Sequence, residues 1–135
     1  MSSVRILYVS DVYFPRVNGV STSIRTFRGE LAALGHESVL VCPDYPGARG
    51  ADDTVVRVPA RYIPLDPEDR AMHWSRLERL DELLAGRRFD LVHIQTPFFA
   101  HYAALRFARA AGLPVVATYH TLFEEYLYHY VPFVP

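Results

Sequence analysis

Three short stretches carry residue types that can do chemistry, and each follows an apolar run: Ser10–Gly19 (SDVYFPRVNG), Gln95–Phe99 (QTPFF) and Tyr119–Thr121 (YHT). Gly19 stands where an apolar strand has ended and a helix is about to begin, and it admits two readings. With Asn18 it can form a tight turn. Alternatively, its missing Cβ lets backbone N–H groups at a positively polarised helix start meet a phosphate. Asp11 could accept hydrogen bonds from a sugar or polyol hydroxyl, or bond backbone N–H groups in its own turn. Arg16 and Arg61 are candidates for holding an anionic group, although loop arginines also serve as solvated surface. His120 lies between a strand and a helix, a position that favours a chemical role over packing. Asp11, Asn18, Gly19, Thr96, His120 and Thr121 are therefore expected to face one crevice, because ligands of open parallel sheets bind outside the carboxyl ends of the strands.

Other chemistries lack their residues. There is no GxGxxG for a conventional NAD site, no GxSxG nucleophile elbow and no HExxH. Cys42 is the sole cysteine, which rules out an internal disulfide, and its place in SVLVC suits a small core residue. His36, His73, His101 and His129 show no metal-ligand spacing, and His93, inside an apolar run, is expected in the core or a second layer. All fourteen basic residues are arginine, so no lysine can act as a Schiff base or phosphate ligand. Glu124 follows Thr121 by three residues, the spacing of a helix capping box.

The elements that must position these residues alternate in type. Val4–Val9 reads as a strand buried on both faces. Val20, Ile24, Phe27, Leu31 and Leu34 step by four and three, which makes one inward helical face ended by Gly35. Glu37–Cys42 is a second strand, residues 43–53 an exposed loop, and Thr54–Val58 a short third strand, kept short by Pro59 and suited to an edge. Residues 59–73, with Pro59, Pro64 and Pro67, are expected to be irregular. A helix is expected from about Ser75 to Ala85 with Leu77, Leu80, Leu83 and Leu84 inward. Its charged face is either solvated or, with Arg87 and Arg88, a surface for anionic lipid. Asp90–Gln95 and Leu113–Tyr119 are strands flanking a helix over Phe98–Ala111 whose outer stripe is Tyr102, Arg106 and Arg109. Another helix begins at Thr121. This alternation predicts an α/β fold, a doubly wound parallel sheet.

Composition sets the remaining bounds. At 135 residues, half of them hydrophobic, the chain suits one domain, and a net charge of −1 gives no argument for nucleic-acid binding. No apolar stretch nears the roughly 18 residues of a membrane span, and Met1–Arg5 lacks the form of a secretory signal. A reducing, cytoplasmic setting is the expectation, with peripheral membrane contact open.

Taken together, ILYVSDVYFPRVNGVSTSIRTFRGELAALGHESVLVCP, LVHIQTPF and VVATYHTLFEEYLYHYVP resemble the N-terminal half of family 4 glycosyltransferases of the GT-B fold. The TYHTLFEEY segment is most similar to members that glucosylate or mannosylate membrane glycerolipids and phosphoinositides. The resemblance implies a Rossmann-like, acceptor-side domain of a retaining transferase that uses a nucleotide-diphosphate sugar and no further cofactor or metal. It implies that Gly19, with Asn18 and Val20, meets the donor phosphates. His120, beside Thr121, would hydrogen-bond the donor sugar, while Asp11, Tyr13, Arg16, Arg61 and Thr96 fall on the acceptor side. The C-terminal domain of such enzymes is absent from these 135 residues and the last helix and strand of the N-terminal domain are missing too, so the chain alone is expected to be inactive and open to self-association near Tyr126–Val134. The competing reading is a stand-alone Rossmann-like module that binds a nucleotide or phosphosugar without turnover.

Overall fold

The computed structural model describes residues 3–48, 52–63 and 66–118, with backbone alone for 62–63 and 66–70. The elements run β1 (Arg5–Val9), α1 (Gly19–Ala33), β2 (Glu37–Pro43), β3 (Val55–Val58), β4 (Ala60–Ile63), β5 (Asp66–Met72), α2 (Trp74–Leu77), α3 (Leu80–Leu83), β6 (Leu91–Ile94), α4 (Phe99–Ala111) and β7 (Val115–Ala117). Five strands form one parallel sheet in the order β3-β2-β1-β6-β7. The central strand β1 sets the register for both halves, with Leu7 opposite Val39 of β2 and Val92 of β6. Strand order reverses between β1 and β6, which is the topological switch point of a doubly wound sheet.

Alternation along the strands sorts the core into two layers. Leu7, Val9, Val41, Val92 and Ile94 face α2, α3 and α4, where Leu77, Leu80, Leu84 and four alanines of α4 (Ala100, Ala103, Ala104, Ala108) are all buried. The alanines let α4 pack close to the sheet. Ile6, Tyr8, Leu40 and Cys42 face α1, which contributes Val20 and Ile24. Gly112 ends α4 at φ 69°, in the left-handed region that glycine occupies without a Cβ clash.

Three expectations are corrected. Phe27 and Leu34 were expected inward but are 43% and 68% exposed. Leu34 caps α1 rather than belonging to it, and Phe27 lies toward the flank of the helix, its ring 6.4 Å from that of His93. Residues 59–73 are not irregular: β4 and β5 pair antiparallel as a ribbon. A two-stranded ribbon has open edges, where Pro67 need donate no ladder hydrogen bond. The helix expected over 75–85 is two single turns, broken where Arg79 leaves helical geometry (φ −112°, ψ 41°). Neither turn has a side-chain cap. Burial of Leu77, Leu80 and Leu84 therefore holds them, since helices this short are not stable by propensity.

That division of labour is testable. Leu84→Ala should lower unfolding free energy by about 2–5 kcal/mol, whereas Leu83→Ala, at a half-buried site, should cost less than half as much. Urea denaturation of the two variants compares them directly, and equal losses would contradict the broken-helix arrangement.

Candidate functional site

The loops after β1 and β6 leave the carboxyl ends of the two strands that flank the switch point, and they are tied to each other by side chains. Asp11 is 2% exposed. Its N–H donates to Thr96 Oγ1 at 2.8 Å, and the Thr96 hydroxyl donates back to the Asp11 carboxylate. The second carboxylate oxygen accepts the N–H of Ala100 at 3.1 Å, in the first turn of α4. Asp11 thus caps a helix through a residue 89 positions away in sequence. Of the two roles open to it, bonding of backbone N–H groups is the one whose geometry is present, but across the crevice rather than within its own turn. Helix α4 needs this, because its own N-cap residue, Phe98, has no side-chain acceptor.

The start of α1 is built differently. Asn18 is its N-cap, with extended backbone, and its Oδ1 accepts the N–H of Ser21 at 2.8 Å. The Asn18 carbonyl accepts from Thr22. Asn18-Gly19 is therefore a helix cap, not a tight turn. The N–H groups of Gly19 and Val20 have no acceptor within the helix, and no acidic residue lies in the first turn. Gly19 is exposed, and a Cβ built on it meets no atom within 4 Å. Neither backbone strain nor packing calls for glycine there. Among the described residues the geometry leaves an open, positively polarised helix terminus beside the switch point, the arrangement that binds phosphate.

The loop between them is braced. Ser10 Oγ accepts the N–H of Val12, and the Ser21 hydroxyl donates to the Arg16 carbonyl at 2.7 Å. The Tyr13 ring is nearly buried, meets Phe14 edge-on at 5.2 Å, and lies under the Arg57 guanidinium at 5.6 Å, while Arg25 covers Phe14 at 4.4 Å. Arg57 and Arg25 were not apparent from the sequence, since nothing in their spacing marks them. The Asp11 cap did leave a signal: a long helix opening on Pro-Phe-Phe without a capping side chain must find its acceptor elsewhere.

The structure brings Asp11, Thr96, Asn18 and Gly19 to the same rim of the sheet. Arg16 lies in the same loop. Arg61 lies exposed on the β4–β5 ribbon, which follows the carboxyl end of β3, two strands from β1. His120, Thr121 and Glu124 lie outside the described residues. Cys42 is a core residue whose thiol burial pushes up to about 12, so it is no nucleophile.

Burial pushes the Asp11 carboxyl up to about 6 from its ordinary 3.8, against hydrogen bonds from Thr96 and the α4 N–H groups that lower it. The folded chain therefore holds a proton between these values that the unfolded chain has released. Stability from this group is complete below about pH 3.8 and is lost as pH rises through 6. Measured against Asp11→Asn, which cannot ionise, the wild type should lose up to about 3 kcal/mol between pH 4 and 7. Parallel curves for the two proteins in urea unfolding would refute it.

The model of Glycosyltransferase Family 4 matches residues 17–134. The chain is 34% identical over 130 residues to the alpha-monoglucosyldiacylglycerol synthase of Streptococcus pneumoniae, covering 95% of this chain and 29% of that protein. It is 33% identical over 128 residues to a GDP-mannose-dependent alpha-mannosyltransferase of Mycobacterium tuberculosis, covering 90% and 33%. In fold it resembles a glycosyltransferase from Rickettsia africae, with a TM-score of 0.55 and 15% identity over 94% of this chain and 34% of that one. The C-terminal domain of the PF1911 hydrogenase from Pyrococcus furiosus is as similar in fold, with a TM-score of 0.56 and 14% identity, covering 88% of this chain and 94% of that domain. Identities this low show the fold alone. The chain spans about a third of the length of the curated relatives it matches. A sequence that fits the family's model over residues 17–134 makes this chain a member of Glycosyltransferase Family 4.

Proposed function

We propose that the chain is the N-terminal, acceptor-side domain of a retaining glycosyltransferase that moves a hexose from a nucleotide-diphosphate sugar to a lipid or other hydroxyl acceptor. The observation that carries this is the contrast between the two helix starts at the switch point. The α4 terminus is filled by the carboxylate of Asp11, and the α1 terminus is open, capped by Asn18 and bare at Gly19. In this reading the N–H groups of Gly19 and Val20 receive the donor diphosphate, and Thr121 stands beside it. His120 hydrogen-bonds the sugar. Tyr13, Arg16, Arg61 and the Asp11–Thr96 pair border the acceptor.

The reaction breaks the bond between the anomeric carbon and the diphosphate oxygen and forms one to the acceptor oxygen. The acceptor proton passes to the departing diphosphate. Negative charge grows on that diphosphate, where fixed N–H dipoles stabilise it without reorganising. The relatives named for diacylglycerol glucosylation and GDP-mannose-dependent transfer support a lipid acceptor and a nucleotide donor. A lipid acceptor places the protein at the cytoplasmic membrane face. None of the described helices is long and apolar enough to cross a membrane. A second domain would hold the nucleotide base and much of the sugar, so the 135 residues alone should show negligible turnover with any panel of nucleotide sugars and lipid acceptors. Robust turnover would overturn the reading.

Within the whole transferase, Gly19→Ala should weaken donor binding about tenfold, the effect of one methyl in the path of a phosphate, while leaving folding unchanged or more stable by up to about 1 kcal/mol. Donor titration and thermal unfolding of the same variant separate the two effects. Native donor affinity in Gly19→Ala would remove the phosphate from this helix start.

A further inference from the structure

We infer that His93 is a positioning residue: through Thr118 it fixes where β7 leaves the sheet, and hence the point from which the chain runs on to His120. The inference rests on the donor-site reading above and adds a residue to it. Among the described residues β7 is the last strand of the sheet, and all three of its residues are exposed, Val115 and Val116 by 37% and 45%. Burial therefore does little to hold it. Its exit is held instead at Thr118, whose N–H donates to the Ile94 carbonyl at 3.0 Å and whose Oγ1 is 2.6 Å from His93 Nε2.

His93 is itself held from the centre of the molecule. It lies opposite Tyr8 in the β1–β6 register, and the two rings stack at 5.1 Å and 31°. Tyr8 is fully buried on the central strand. The Phe27 ring of α1, the helix that begins at Gly19, lies 6.4 Å from the imidazole on the same face. A line of contacts thus runs from the core of β1 through the imidazole to Thr118, the last described residue. The neighbouring inward positions of this face, Ile6, Leu40 and Cys42, are apolar. An apolar residue at 93 could still pack on Tyr8 but would remove the side-chain hold on Thr118, leaving its backbone bond to Ile94. His120, the residue proposed to meet the donor sugar, follows Thr118 by two residues in the sequence.

The test uses the whole transferase. Thr118→Val removes the hydroxyl with little change of shape, Thr118→Ser keeps it, and His93→Phe keeps the ring on Tyr8 but loses the nitrogen. Thr118→Val and His93→Phe should each lower kcat about tenfold or more, as misplacement of a group near the reacting carbon does, with the acceptor KM unchanged. Thr118→Ser should restore the native rate, and the double variant should be no slower than the worse single one. Native kcat in Thr118→Val, or losses that multiply in the double variant, would overturn the inference. Amide exchange at Thr118 provides the independent arm. If the wild type transfers no hexose, the donor-site reading fails, yet faster exchange in both single variants still supports the anchor and unchanged exchange overturns it.

Discussion

The functional rim depends on one buried carboxylate. In a doubly wound sheet the connections on either side of the switch point depart to opposite faces, so the loops after β1 and β6 diverge and nothing in the sheet ladder joins them. Asp11 joins them. It binds Thr96 in both directions and takes an N–H from the start of α4. Removing a carboxylate from water is costly, which is why its proton is held to about 6. Three compensations act there: a hydroxyl, helix N–H groups and the positive end of the helix dipole. The two apolar layers supply the bulk of the stability. The carboxylate adds order at the place where the fold has none of its own.

The same carboxylate also decides which helix can serve a ligand. Two helices start at the crevice, and each presents unsatisfied N–H groups. Asp11 occupies the second, while the first is closed only as far as Ser21 and Thr22 by Asn18. An anion entering the crevice therefore finds one vacant terminus. Because Tyr13 and Phe14 are held between each other and the cations of Arg57 and Arg25, the loop that precedes this terminus is braced before any ligand arrives. Fixed dipoles are worth more than mobile ones, since they do not reorganise as charge develops.

Much of this arrangement was legible in the sequence because it depends on order along the chain. Apolar runs alternating with helical periods gave the parallel sheet. The rule that ligands meet strand carboxyl ends then gathered Asp11, Thr96 and Gly19 from loops far apart in sequence. What escaped depends on neighbours that periodicity cannot name. Helical spacing placed Phe27 with Ile24, but counting residues does not say how far the sheet extends beneath a helix. Three prolines argued against strands over residues 59–73, and a two-stranded ribbon tolerates what a central strand would not. Leucine spacing gave the buried face of residues 77–84 without revealing that the backbone breaks at Arg79 to present it. Asp11 was visible as a polar residue at the right rim, but its partner, the uncapped start of α4, is separated from it by most of the chain.

On the proposed reading, the charge balance at the α1 terminus says what a second domain would have to supply. A helix start presents about half a positive charge, and the α1 terminus adds the Gly19 and Val20 N–H groups, which have no acceptor within the helix. A diphosphate leaving from a sugar carries two ionised groups and gains negative charge as the bond breaks. The chain has no lysine to make up the difference, Arg25 and Arg57 are turned onto aromatic rings, and Arg16 in the loop itself is proposed on the acceptor side. On the proposed reading, further positive charge would come from a second domain across the crevice. The α1 terminus alone would then hold a donor only loosely. The leaving group would be fully stabilised only where that second surface also excluded water from the reacting carbon.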